Sequence, residues 1–223
     1  IDVISSLNDV EGIRRIRLGS LEPLYMNRQM IARMAVIDKL CSHFHLSLQS
    51  GCDETLKRMN RRYTTGEYLE IVESLRQYIP NVAITTDIMV GFPGETDEEF
   101  ERTCSFARTV GFSQIHIFQY SIRKGTKAAG MSDQIPSHTK EERSKILEAI
   151  AEKTKLTFRQ KLLGTTAPVL FEHIQDGLWE GHTPNYIPVR VCSAADLAGK
   201  ILPVRLMENH PGYVLGVLEG ELA

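Results

Sequence analysis

The stretch TTDIMVGFPGETDEEF, residues 85–100, carries a strand, a turn and the start of a helix in one run. Ala83–Val90 is of strand length and closes on apolar Ile88, Met89 and Val90, and Gly91, Pro93 and Gly94 stop it. Thr96 with Glu99 three residues on forms a capping box, so a helix runs over Thr96–Val110. A strand passing through a glycine turn into an amphipathic helix is half of a βαβ unit. The same order recurs on both sides. Arg14–Leu18 (RRIRL) reads as a strand before a helical pattern at Met26–Cys41. His43–Leu48 is a second strand, and Thr65–Tyr78 a helix with Tyr68, Leu69, Ile71, Val72 and Leu75 on one stripe. Gln114–Tyr120 is a fourth strand. Lys140–Leu163 is a long charged helix stopped by Gly164. Alternating strands and helices predict an α/β fold with a parallel sheet. A closed parallel barrel takes about eight strands. Four predict an open half-barrel, or one that borrows strands from elsewhere.

The pattern changes after Gly164. Short alternating segments (APVLFEHI, LWEGHT, IPVRV, ILPVRLME, YVLGVLE) are separated by turn residues such as Asp176-Gly177 and Pro211-Gly212. Five short strands predict a small antiparallel barrel of the OB type. The boundary falls near Leu163, giving residues 1–163 and 164–223 as two domains.

The chain has 223 residues and a net charge of -2, so any nucleic-acid site must be a local patch. No apolar run approaches the roughly 20 residues that span a bilayer, and the expectation is a soluble, cytoplasmic protein. Cys41, Cys52, Cys104 and Cys192 have wide, irregular spacings that match no zinc or iron–sulfur pattern. Ile1–Leu7 reads as the tail of a helix entered midway, and the chain as a piece of a longer protein.

Each parallel strand is followed by a polar, glycine-bearing stretch: GSLEP (19–23), QSGC (49–52), GFPGET (91–96) and YSIRKGT (120–126). In parallel barrels the loops at the strands' C-terminal ends converge on the active site. Each stretch also has a plain reading. Pro93-Gly94 suits an ordinary turn, and Asp97 and Glu98 suit a helix N-terminus. GFPGET lacks the Lys-Ser/Thr of a P-loop. His43 and His45 share one strand face, as metal ligands or as hydrogen-bonded wall residues. Lys57, Arg58, Arg61 and Arg62 form a basic cluster, either a solvated face or a phosphate contact. Lys140–Lys155 alternates in sign and reads as a solvated helix face. Rim acids Glu22, Asp87 and Glu95 would serve an ordinary acid–base enzyme.

RIRLGSLEP (15–23), HFHLSLQSGCDETLKRMNRRYT (43–64), TTDIMVGFPGETDEEF (85–100) and HIFQYSIRKGTKAAGM (116–131) run in an order that resembles the radical-SAM methylthiotransferases. The likeness extends over essentially the whole chain, and the C-terminal strands resemble an RNA-binding TRAM domain. LSLQSGC (46–52) resembles the branch acting on N6-threonylcarbamoyladenosine beside the tRNA anticodon. The isopentenyladenosine and ribosomal-protein branches are the alternatives, and a non-catalytic RNA-binding module is a third reading.

The resemblance implies S-adenosylmethionine, 4Fe-4S clusters in the intact parent, and tRNA as partner. The C-x3-C-x2-C cluster triplet is absent from this sequence, so it implies no metal ligand here and no catalysis by this chain alone. It implies cofactor contacts at Ser20, Glu22, Gln49 and Ser50, with the adenine lying along Val90, Gly91 and Phe92, because glycine brings no Cβ between base and backbone. It implies substrate contacts at Tyr120, Arg123 and Lys124. In the small barrel Arg190 and Arg205 are candidate phosphate contacts, and Trp179 and Tyr186 are either base-stacking platforms or core. The open sheet edge at Arg14–Leu18 is a candidate for self-association.

Overall fold

The computed structural model describes residues 1–220. The last three residues of the expected second domain lie outside them. The first lobe opens with α1 (Asp2–Asn8), where a helix tail was expected, and builds a four-stranded parallel sheet in the order β1-β2-β3-β4. Its strands are β1 (Ser20–Leu21), β2 (His43–Leu46), β3 (Ala83–Val90) and β4 (Gln114–Gln119). Between them run α2 (Arg28–Ala35), α3 (Asp53–Arg58), α4 (Thr65–Tyr78) and α5 (Asp97–Val110). Thr64 with Glu67 caps α4, and Thr96 with Glu99 caps α5, each as a reciprocal capping box. Gly111 ends α5 in the left-handed conformation at φ 62°.

Side chains alternate across β3. Ile84, Thr86, Ile88 and Val90 are buried against the helices, whereas Thr85, Asp87 and Met89 point to the other face. Phe44, Leu46, Tyr68, Val72, Leu75 and Phe112 complete the core on the helix side. Each such side chain contributes about 1.5–3 kcal/mol by leaving water. The Tyr68 hydroxyl donates to the Leu46 carbonyl, so its polar tip is satisfied in that core.

The first strand differs from expectation. Within Arg14–Leu18 only Ile16 joins the ladder: its N–H donates to Lys39 and its carbonyl accepts from Cys41. Regular pairing begins at Ser20, inside the stretch expected to be a rim loop. The reason lies in the arginines. Arg15 donates to the His182 and Pro168 carbonyls of the second lobe, and Arg17 stacks on Tyr186. These contacts hold much of the expected free edge against the second lobe. The expected helix at Met26–Cys41 is shorter for a related reason: Leu40 is bridged to Ile16, so the chain must leave the helix after Ala35.

α6 (Ser137–Gln160) lies against β4 and α5 and then runs to the second lobe. That lobe is a closed five-stranded barrel, β5-β6-β7-β9-β8. It comprises β5 (Thr166–Gln175), β6 (Leu178–His182), β7 (Pro188–Val191), β8 (Ile201–Asn209) and β9 (Val214–Leu218). The barrel was expected to be antiparallel throughout, but β7 and β9 pair in parallel because β9 slots between the third and fourth strands. At Gly181 a Cβ would overlap the Leu170 carbonyl of β5, beside the bulge at Phe171/His173. Trp179 is core, packed with Val169, Phe171, Val189 and Val204.

Candidate functional site on the polar face of the sheet

The sheet face turned away from the helices carries a polar row across all four strands. Register pairs Ser20 with His45, His45 with Thr85, and Thr85 with Gln114, and paired residues of a parallel sheet share a face. One step toward the strand ends Asp87 pairs with His116. The Thr85 hydroxyl lies 3.0 Å from His45 Nδ1 and 3.4 Å from His43 Nε2, and His45 Nε2 lies 3.2 Å from Asp87 Oδ2. The Thr85 hydroxyl thus bridges the two rings, and the Asp87 carboxylate stands beside the outer nitrogen of His45. Burial, reinforced by Arg17 and His45, pushes the His43 ring down to about 4. The face thus presents a hydroxyl, an imidazole, a carboxylate and an amide in fixed order, a surface suited to a ribose or a nucleobase edge.

The candidate residues divide on the structure. Ser20 is exposed in this row. Gln49 extends β2, its N–H on the Asp87 carbonyl and its carbonyl accepting from Met89, with a left-handed φ of 70°. Glu22 stands near the same end, ion-paired with Arg61 at 3.0 Å. Ser50 turns inward: it is fully buried and hydrogen-bonded to Thr103 of α5, so it does not reach the mouth. Val90 also points into the helix layer. Gly91 is not bare. The Lys140 stem fills the place of its Cβ, and Lys140 Nζ continues to the Tyr120 carbonyl. The glycine is explained by that crossing and by its φ of 70°, not by a base lying there. Phe92 packs edge-on against Tyr120, ring centroids 5.4 Å apart, and both are buried.

Arg123 and Lys124 are exposed on the turn after β4. In the barrel Arg205 is exposed on β8, but Arg190 is held by Glu180 at 2.6 Å and Asp176 at 2.9 Å and stacks on Tyr213. It has no free charge for a phosphate. Tyr186 has its ring between the Arg17 guanidinium (3.3 Å) and the His182 imidazole (4.5 Å), which leaves no face for a base.

Lys140 and Arg143, both within the expected solvated helix face, are structural. Arg143 is buried, reaching Glu95 and Asp97 at 2.7 Å each, and Glu95 also accepts the Gly91 N–H at 2.7 Å. That removes Glu95 as a rim acid. Arg58 neutralises itself on Glu99, which shrinks the basic cluster. The signal for Arg143 was its place on the Leu147–Ile150 stripe of α6. The signal for the polar row was the period-2 pattern of His43/His45, Thr85/Asp87 and Gln114/His116.

The cysteines do not fit a 4Fe-4S cluster. Cys41, Cys52 and Cys104 are buried singly and Cys192 is on the second lobe. No three His, Cys, Asp or Glu side chains among the described residues are grouped to hold a metal.

The sequence profile of the Radical SAM superfamily matches residues 3–107. A tRNA-2-methylthio-N(6)-dimethylallyladenosine synthase of Caldicellulosiruptor saccharolyticus is 39% identical over 216 residues, covering 96% of this chain and 46% of that protein. One of the same name from Akkermansia muciniphila is 39% identical over 220 residues, covering 97% and 48%. The chain therefore spans about half the length of the curated relatives it matches. Among solved structures, coproporphyrinogen III oxidase of Escherichia coli, described as a Radical SAM enzyme, superposes with a TM-score of 0.55 at 10% identity, over 76% of this chain and 46% of that one. At that identity the likeness concerns fold alone.

Proposed function

Since residues 3–107 match the Radical SAM superfamily profile, we propose that this chain is the sheet-and-barrel part of a tRNA methylthiotransferase that acts on C2 of an N6-modified adenosine beside the anticodon. The observation that carries this reading is the likeness to tRNA-2-methylthio-N(6)-dimethylallyladenosine synthases along nearly the whole chain. Those names favour a dimethylallyl (isopentenyl) substrate. The LSLQSGC segment favours the threonylcarbamoyl branch instead. Tandem mass spectrometry of tRNA nucleosides decides between them. Disrupting the parent gene should abolish one 2-methylthio nucleoside, and its chemical identity names the branch. Unchanged methylthio nucleosides would sink the proposal.

The polar face fits the nucleoside end of S-adenosylmethionine. Ser20 and His45 present a hydroxyl and a ring to ribose, Gln49 stands at the rim, and Asp87 offers an acceptor to an ammonium or a sugar hydroxyl. When bound, that cofactor supplies the radical and methyl chemistry, with its cluster held outside this chain's residues. The residues here bind and orient. A division near Leu163 separates this work from the small barrel, which we assign to RNA. A five-stranded barrel with non-sequential strand order suits an OB-type module of the TRAM kind. Arg205 on the barrel and Arg123 and Lys124 on the sheet lobe remain free to meet phosphates. A tRNA substrate also implies a cytoplasmic setting.

A further inference from the structure

Between the sheet lobe and the barrel lies a cavity of about 240 Å³, lined by His43 and Gln114 of the sheet, Lys155 and Arg159 of α6, and Tyr186 and Gly212 of the barrel. Among the described residues no Asp or Glu lines it. Arg159 is buried to 6% exposure. Its Nη2 donates to the Gly212 carbonyl at 3.1 Å, while its Nη1 is buried with no partner among the described residues. His43 Nδ1 on the opposite wall is likewise buried and unpartnered. The carboxylate nearest in effect, Glu152, is engaged by Lys155 at 2.6 Å. A guanidinium stays charged when buried, and one without a counter-ion is among the costliest groups a fold can hold. A water would satisfy the N–H but not the charge. A tetrahedral oxyanion would satisfy both, since the guanidinium fork matches two of its oxygens.

We propose that this seam cavity is a phosphate-binding site, with Arg159 as its buried anchor, the Lys155–Glu152 ion pair at its mouth and His43 on the opposite wall. The phosphate group comes from an RNA backbone or from free phosphate. Only the RNA source rests on the function proposed above. An RNA phosphodiester seated here would touch both lobes at once, so binding would tie the barrel to the sheet.

The test uses the full chain. Thermal unfolding is followed in inorganic phosphate, acetate and chloride at matched ionic strength, and His43 is observed by NMR. The expected result is a phosphate-specific rise in Tm and a shift of the His43 ring resonances, both absent in Arg159→Gln. Should Arg159→Gln not fold, Lys155→Gln, which leaves Glu152 uncompensated near Arg159, is expected to weaken phosphate binding several-fold with the fold intact. Equal behaviour in the three salts, with His43 unmoved, overturns the site. An anticodon stem-loop RNA then separates the sources. About tenfold weaker RNA binding in Arg159→Gln, with competition by phosphate, assigns the site to RNA. Undiminished RNA binding beside a retained phosphate effect in the wild type assigns it to free phosphate. The phosphate result stands or falls independently of tRNA methylthiolation.

Discussion

Two buried titratable residues dominate at the residue scale. Burial pushes the Glu95 carboxyl up from its ordinary 4.5, and the Gly91 N–H and Arg143 pull against that. Arg143→Met should remove the main counter-charge and cost about 3–5 kcal/mol in urea unfolding at neutral pH. In that variant the folded-state pKa of Glu95 rises further. A carboxyl whose folded pKa exceeds its unfolded one binds its proton more tightly when folded, so acidification favours folding. The deficit of Arg143→Met should therefore narrow as pH falls toward 4.5, and Arg143→Met with Glu95→Gln should show no such narrowing. His43 has the opposite sign. Its folded pKa of about 4 lies below the ordinary 6.5, so protons bind the unfolded chain first. Its contribution to stability is complete above 6.5 and is lost as pH falls from 6.5 toward 4. His43→Gln should flatten the stability profile across that window, measured as urea midpoints, and a profile parallel to the wild type would remove the ring from the account.

The element scale separates what could be read from what could not. β3, α4 and α5 carry their own punctuation, a glycine-proline stop and two capping boxes, so their limits follow from local chemistry. β1 and the end of α2 do not, because their limits are set by Arg15, Arg17 and the Ile16–Leu40 bridge, all contacts to distant parts of the chain. The site residues divide in the same way. The histidine pattern could be placed by period alone, whereas Ser20 was expected in a rim loop and lies in β1. The roles of Gly91, Glu95, Arg190 and Tyr186 depend on Lys140, Arg143, Asp176 and Arg17, partners that no local pattern names. One consequence can be measured on α5. Thr96→Ala should cost about 1 kcal/mol as a lost cap. Gly91→Ala should cost more, because it combines a left-handed backbone with displacement of the Lys140 stem. Equilibrium unfolding of the two variants should rank them in that order, and the reverse ranking would refute the role given to Lys140.

At the scale of the whole molecule α6 is the shared part. Its Leu147 and Ile150 belong to the core of the sheet lobe, while Phe158, near its end, packs with Leu162 on the barrel core. One uninterrupted helix is thus the wall of two separate cores. Amide hydrogen exchange should read that directly. Protection over residues 140–150 should follow the opening of the sheet lobe, and protection over 156–160 the opening of the barrel, with the change falling near Lys153. A single exchange free energy along the helix would mean that the lobes open together. If the free energies differ, the less stable lobe can open while its end of α6 frays and the other end stays wound. The helix then acts as a clutch, in which one lobe disengages without unfolding its neighbour.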